Sequence, residues 1–186
     1  MRKIIYSKVL RVLLFCIFSL FYDKKYLKGK YFKIKRIGWY WAFIGLKSRL
    51  IGPNSRIPWP VNPKSIISNK DNIYFDINDI SIFQTPGCYW QNHNGKIYIG
   101  SGCQVAPNVG IITTNHDPFN LENHLEGKDV KIGNNCWIGM NAMILPGVEL
   151  GDNTIVGAGS VVTKSFSEGM IVIAGNPAKV IKRLKE

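Results

Sequence analysis

Acidic side chains are nearly missing from the first third of this 186-residue chain. Residues 1–60 hold fourteen Lys and Arg but a single acid, Asp23, whereas residues 61–186 hold ten basic and eleven acidic residues; the formal charge of +12 is the property of one end. Paired cysteines are missing too. Cys16, Cys88, Cys103 and Cys136 show no Cys-x-x-Cys spacing, which argues against a zinc ribbon, a dithiol redox motif or a disulfide scaffold. No apolar run reaches the roughly 20 residues that a membrane-spanning helix needs. The nearest candidate, Val12 to Tyr22, has Lys8 and Arg11 before it and Asp23, Lys24 and Lys25 after it. No small-x-small cleavage site follows, which separates it from a secretory signal. A Gly-rich nucleotide-binding loop is absent. Apolar material is plentiful, at 46% of residues with 12% aromatic, and that excludes an intrinsically disordered chain.

The basic end has its own pattern. Lys3, Ser7 and Arg11 lie four apart, so on a helix they form one polar stripe beside an apolar surface, the pattern of a helix lying in a membrane interface. Packing of that helix on the domain or on a neighbouring subunit is the alternative. Seven basic residues follow from Lys24 to Arg36, interleaved with Tyr26, Tyr31 and Phe32. Each basic residue near an anionic leaflet contributes about 1 kcal/mol. Peripheral membrane contact through residues 1–36, at the inner face of the cytoplasmic membrane, is one expectation and a solvated charged face of the basic run is the other; no nucleic-acid partner is expected. Trp39, Trp41 and the Pro58-Trp59-Pro60 turn read as a packed connector into the main domain.

The second half carries an internal repeat. Ile132, Ile138, Ile144, Leu150, Val156 and Val162 recur every six residues, and Ile99, Val105 and Ile111 keep the same period upstream. Looser echoes occur at Ile51 and Ile57, and at Ile67 and Ile73. Two residues before each next apolar position sits a smaller side chain: Cys136, Ala142, Val148, Thr154, Ser160. Neither the helical period of 3.6 nor strand alternation explains a period of six. Such a repeat makes one short strand and one turn; three faces close a coil of about 18 residues, a parallel β-helix. Cys103 and Cys136 become core fillers. The segment Ala178 to Glu186 is expected to cap the open end as a short helix.

These motifs resemble the hexapeptide-repeat acyltransferases. The match is carried by Ala106-Pro107-Asn108-Val109, Thr114-Asn115-His116, Ile132-Gly133-Asn134-Asn135-Cys136-Trp137-Ile138-Gly139, the Val156 to Lys164 segment and Gly175-Asn176-Pro177-Ala178-Lys179. It is most similar to the maltose, galactoside and nodulation O-acetyltransferases and to those of capsule and lipopolysaccharide synthesis. The resemblance implies an all-β, left-handed parallel β-helix over residues 61–177, following a basic helical or irregular segment 1–60. It also implies a homotrimer that uses acetyl-coenzyme A without a metal. The acceptor it suggests is a sugar hydroxyl of a surface polysaccharide or its lipid-linked precursor. A free sugar, an amino sugar or serine is the alternative acceptor. The three histidines His93, His116 and His124 raise a gamma-class carbonic anhydrase as a remote second reading, and a non-catalytic scaffold as a third.

The ladder breaks between Ile111 and Ile132, whose separation is not a multiple of six, so a loop is expected near residues 114–129. A break in so regular a solenoid is where function collects. By the resemblance His116 in that loop is the general base; imidazole, ordinarily titrating near ~6.5, suits proton transfer from an attacking hydroxyl at neutral pH. Its orienting partner is Asp117, Glu126 or a backbone carbonyl. Carried over by position, Trp137, Gly139, Met140 and Ala142 would line the acetyl and pantetheine end of the cofactor site, with a backbone N–H near Met140 as oxyanion donor. Gly157 and Ala158 would admit the pantetheine arm; Thr163, Lys164, Lys179 and Lys182 would meet the adenosine and phosphates. On the acceptor side, Tyr89, Trp90, Asn92 and Asn115 combine aromatic faces with amides, as a sugar site does; an ordinary coil with polar corners is the alternative there.

Overall fold

The six-residue ladder folds into a three-faced coil. The computed structural model describes residues 8–185; Lys3 and Ser7 of the expected polar stripe lie outside them. One face stacks the parallel strands Ile66–Ile67, Tyr89–Gln91, Gly110–Ile112, Met143–Ile144 and Val161–Val162. A second stacks Ile73–Tyr74, Ile97–Ile99, Val130–Ile132 and Glu149–Leu150. The third stacks Gln104–Val105, Trp137–Ile138, Ile155–Val156 and Ile171–Gly175, and in the first coil a 3-10 segment, Ile77–Phe83, takes its place. Trp137 pairs with Ile155 and Met143 with Val161, one full coil on in each case. The ladder residues Ile111, Ile138, Ile144 and Val162 are completely buried, and Cys136, Ala142, Thr154 and Ser160 sit inside beside them.

Each corner must turn the chain sharply between one short strand and the next. Asn135, Asn141 and Asn153 do so at positive φ, between 54° and 60°, a region that Asn tolerates better than most side chains. Asn134 has another task. Its Oδ1 accepts the Ser101 N–H at 2.9 Å, and its own N–H donates to Asp152 Oδ1 at 2.7 Å, so one corner column links three successive coils. The Asn134 N–H, and then its Nδ2, which donates to both Asp152 carboxylate oxygens at 3.2 Å, hold the Asp152 carboxyl below the ordinary carboxylate range.

Glycine is imposed by stacking at Gly139. A Cβ there would stand 2.6 Å from Ala158 N and 2.7 Å from Val156 O of the next coil. At the carboxyl end the expected cap is a strand, not a helix. After the Gly175-Asn176-Pro177 turn, Ala178–Arg183 runs back antiparallel beside Ile171–Gly175, with Ile173 opposite Val180. The last strand of the third face would otherwise present unpaired backbone donors and acceptors, and the returning strand pairs them.

The amino-terminal third closes the other end. Helices α1 (Lys8–Phe18), α2 (Lys30–Lys33) and α3 (Gly38–Ile51) fold over the first coil. Tyr26, Trp59, Phe75, Phe83 and Trp90 make a continuous aromatic stack, with ring centroids 4.7–5.9 Å apart, that runs from this cap into the coil interior. Such pairs add about 0.5–1.5 kcal/mol each beyond area burial. Buried Asp79 binds Lys30 of the cap at 3.2 Å and accepts the Gly102 N–H of the coil. The Tyr22 hydroxyl donates to the Ala42 carbonyl at 3.0 Å, fixing α3 to the turn after α1. The looser echo at Ile51 and Ile57 is not a coil: Ile51 ends α3 and is 82% exposed.

Because the folded-state carboxyl of Asp152 is depressed, its contribution to stability is full above the unfolded-state value near ~3.9 and is lost as pH falls through the lower folded value. Asp152→Asn keeps an oxygen acceptor for Asn134 and removes the charge. Urea unfolding from about pH 6 downward should show the wild type more stable than Asp152→Asn above about pH 4, with the gap closing below it. A gap independent of pH would contradict the assignment.

Candidate active site

The Gly110–Ile112 strand is aligned with Met143–Ile144, which lies nearly two coil lengths further along the chain instead of one. The extra chain leaves the coil at the corner between the first and second faces. It returns where the Lys128 N–H meets the Thr113 carbonyl at 2.8 Å. Between those points the chain forms an antiparallel hairpin, His116–Asp117 against Asn120–His124. Asp117 makes the turn: its Oδ1 accepts the Phe119 N–H at 2.9 Å, an Asx turn. The Asp117 carboxylate is thereby directed into the hairpin's own backbone.

The partner of His116 is a backbone carbonyl. Nδ1 lies 2.7 Å from the Leu121 oxygen. A carbonyl only accepts, so Nδ1 carries the proton, and in the neutral ring Nε2 is left with its lone pair. The side chain is exposed. His124 stands opposite His116 in the hairpin register, with ring centroids 4.2 Å apart and planes tilted by 36°.

Beside the histidine pair lies a polar cavity of about 350 Å³, lined by Gln91, His93, Asn94, Thr114 and His124. Gln91 holds it in shape: its Oε1 accepts from the Thr113 and Thr114 N–H groups at 2.9 and 3.0 Å, and its Nε2 donates to the Thr114 carbonyl at 3.0 Å. The Thr114 hydroxyl is buried and has no hydrogen-bond partner among the described residues. An unpartnered buried hydroxyl lining a polar cavity is a ready contact for a ligand hydroxyl.

Two of the acceptor-side expectations need correction. Trp90 is 1% exposed and packs on Phe83 inside the coil. Asn92 is fully buried, donating to the Asn69 carbonyl and accepting the Asn69 N–H. Trp90 is interior because its strand aligns it with Ile111, and Asn92, just after that strand, is held inside by its bonds to Asn69. Tyr89 faces outward and is 40% exposed, and Asn115 is exposed beside His116. Thr114 and His124 were not assigned to the acceptor site by the sequence: Thr114 stood only in the Thr114-Asn115-His116 motif and His124 only among the three histidines of the carbonic anhydrase reading. The Asp117-Pro118 turn signal between the two histidines was the available clue to a hairpin.

The residues expected on the cofactor side do not form one cluster. Trp137, Met140 and Ala158 are exposed at or beside the corner between the third and first faces. Successive turns stack there, with the Gly159 N–H donating to the Met140 carbonyl. Ala142 is a correction: it is fully buried, its side chain filling the coil interior. Gly139 is buried, and its lack of a side chain serves coil stacking. A Cβ on Gly157 would come 2.9 Å from Ala174 Cβ, so coil packing demands that glycine as well. Thr163 and Lys164 are exposed at the corner between the first and second faces, beyond the base of the hairpin along the coil axis. Lys179 and Lys182 are exposed on the returning strand. Lys182 lies opposite Val172, which pairs with Ile155, the neighbour of Trp137. Trp137 and Lys182 are thus three strand spacings apart, about 14 Å.

The buried thiols take no part. Cys88, Cys103 and Cys136 are each 1% exposed. The neighbouring Cys136 thiol, and then burial, push the Cys103 thiol well above its ordinary range. Among the described residues no three His, Cys, Asp or Glu side chains converge as a metal site would require.

Comparison with known proteins agrees with this architecture. Residues 129–164 match the family described as bacterial transferase hexapeptide (six repeats). A putative acetyltransferase of Saccharomyces cerevisiae is 43% identical over 108 residues, covering 53% of this chain and 54% of that protein. The galactoside O-acetyltransferase of Escherichia coli is 40% identical over 94 residues, covering 48% and 45%. The chain thus spans about half the length of the curated relatives it matches. Among solved structures, a galactoside acetyltransferase in complex with coenzyme A superposes with a TM-score of 0.58 at 27% identity, over 75% of this chain and 72% of that one. The fold is the left-handed parallel β-helix of the hexapeptide-repeat acetyltransferases.

The hydrogen bond to Leu121 fixes a tautomer that can be observed directly. In long-range ¹H–¹⁵N spectra, neutral His116 should show a protonated Nδ1 and a bare Nε2. The opposite tautomer, the commoner one for an unconstrained imidazole, would contradict the geometry.

Proposed function

We propose that this protein is an acetyl-coenzyme A-dependent O-acetyltransferase acting on a hydroxyl of a surface polysaccharide or its precursor, with His116 as general base. The observation that carries the proposal is the His116 ring, anchored through Nδ1 at 2.7 Å with Nε2 free, beside a polar cavity. The similarity to proteins named galactoside O-acetyltransferase and acetyltransferase supports the reaction class. The cavity supports a polyhydroxylated acceptor, because it offers amide, imidazole and hydroxyl partners without a charged carboxylate or ammonium among its lining residues.

Nε2 of His116 takes the proton of the acceptor hydroxyl as that oxygen attacks, and returns it to the departing thiolate. The Leu121 carbonyl stabilises the imidazolium formed in between and keeps the ring in position. General-base assistance of this kind contributes about 10²–10⁴ in rate. Thr114, Gln91 and His124 orient the acceptor, with Tyr89 and Asn115 at its outer edge.

Acetyl-coenzyme A supplies the activated acyl group. The exposed corner of Trp137, Met140 and Ala158 suits its thioester arm: Ala158 leaves the backbone accessible, and the Met140 N–H is the candidate donor to the carbonyl oxygen. Lys164, Lys179 and Lys182 suit its phosphates. That corner and the hairpin leave the coil on opposite sides of the first face. A homotrimer in which the hairpin of one protomer meets the Trp137 corner of the next joins the two halves. The hairpin supports this arrangement, because Phe119 and Leu121 on it are 97% and 71% exposed, as residues awaiting a partner surface are.

His116→Ala should lower turnover by about 10²–10⁴ while coenzyme A affinity, measured by calorimetry, stays within about twofold. Thiol release with a panel of pyranosides and isolated surface glycan reads the rate. A loss below about tenfold would overturn the base assignment.

A further inference from the structure

The cap presents an apolar surface where a solvent-facing helix normally presents polar side chains. The outward stripe of α1 is Val9, Leu13 and Ile17, continued by Leu20 in the turn that follows, exposed by 78%, 53%, 43% and 80%. Its inward side is apolar as well, with Phe18 buried and Leu14 and Phe15 packed on the core. No described helix is long and apolar enough to cross a membrane. The outer side of α3 repeats the pattern, with Tyr40, Phe43 and Leu50 each more than half exposed.

A groove of about 320 Å³ runs between α1 and the rest of the cap. Phe32 and Trp39 are part of its apolar lining, and its four charged lining residues, Lys8, Arg11, Lys28 and Lys33, are all cations. The Trp39 side chain is 7% exposed, and its indole N–H has no hydrogen-bond partner among the described residues. Arg11, the described member of the polar stripe, lines this groove instead of facing solvent on the outer stripe. No Asp or Glu occurs between Asp23 and Asp71. Tyr26, Tyr31 and Phe32, the aromatics interleaved with the basic run, are buried in the cap core. They are therefore withdrawn from stacking on nucleobases.

We propose that the cap docks on an anionic phospholipid surface. The outer stripe of α1 enters the headgroup–acyl boundary, and a lipid phosphate sits in the cationic groove against the Trp39 indole N–H. An apolar stripe alone fits many partners. The addition of four cations without an acid, around an unpartnered buried donor, selects an amphiphile whose head is negative. A second copy of this chain would bring the same four cations to the contact and be repelled. The proposal stands apart from the acetyl-transfer reading, because it uses none of the hairpin or coil-corner residues.

The test is flotation of the full chain with phosphatidylcholine vesicles, with and without phosphatidylglycerol. The wild type should float with the anionic vesicles at least about tenfold more than with the neutral ones, and raising salt from about 0.1 M to about 0.5 M should release it. The variant Lys8→Glu/Lys28→Glu/Lys33→Glu and the variant Leu13→Ser/Leu20→Ser should each lose the association by about tenfold or more with an unchanged circular dichroism spectrum. Equal flotation with neutral vesicles, salt-insensitive flotation, or no flotation of the wild type would each overturn the proposal, whatever the variants do. So would self-association, by light scattering, that Leu13→Ser/Leu20→Ser abolishes while vesicle binding is absent.

Discussion

Each interior side chain of the coil must touch its counterparts one turn above and one turn below, and that requirement governs the rest of the molecule. Ile144 sits between Ile111 and Val162 in one column, and Ile138 between Val105 and Val156 in another. A residue added within a face would shift every later side chain out of its column. Extra chain can leave only at a corner and must return to the same corner. The hairpin bearing His116 does this, closed at its base by the Lys128–Thr113 hydrogen bond. Its position is therefore set by the stack beneath it. The glycines at 139 and 157 answer to the same contact, one against backbone and one against the Ala174 methyl.

The stack has ends, and each is closed differently. At the carboxyl end a returning strand pairs the last edge of the third face. At the amino end the aromatic stack from Tyr26 to Trp90 carries the cap into the coil interior. The buried Asp79 fastens one to the other by accepting from both Lys30 and Gly102. A cap so firmly seated makes its outer surface a fixed feature of the protein. The charge imbalance noticed in the first sixty residues becomes a rim of cations around an apolar helix, next to a coil that is itself close to neutral.

How much of this the sequence disclosed depended on phase. Where the coils keep an unbroken period of six, as from Ile132 to Val162, the ladder assigned inward and outward residues correctly, including the small interior positions. Upstream, Ile67, Trp90 and Ile111 share a column although neither interval between them is a multiple of six. The period cannot be carried across those intervals, so Trp90 and Asn92 looked like surface residues. The hairpin was legible only as a break. Its register includes an irregularity between His116 and Asp117, and the pairing of His116 with both His124 and the Leu121 carbonyl follows from that register alone. The final segment, Ala178 onward, has the length of a short helix, but the free edge of the third face recruited it as a strand.

The central functional claim is that the base and the cofactor corner of one active site belong to different protomers. Subunit mixing tests it most directly. His116→Ala removes the base, and Ala158→Trp blocks the proposed cofactor corner; each should be inactive alone. Dissociated and reassembled together at equal amounts, they should regain activity at about one quarter of the sites, the fraction in which random cyclic assembly places an intact hairpin against an intact corner. Failure of the mixed assemblies to recover activity, with mixing verified by native mass spectrometry, would contradict the account.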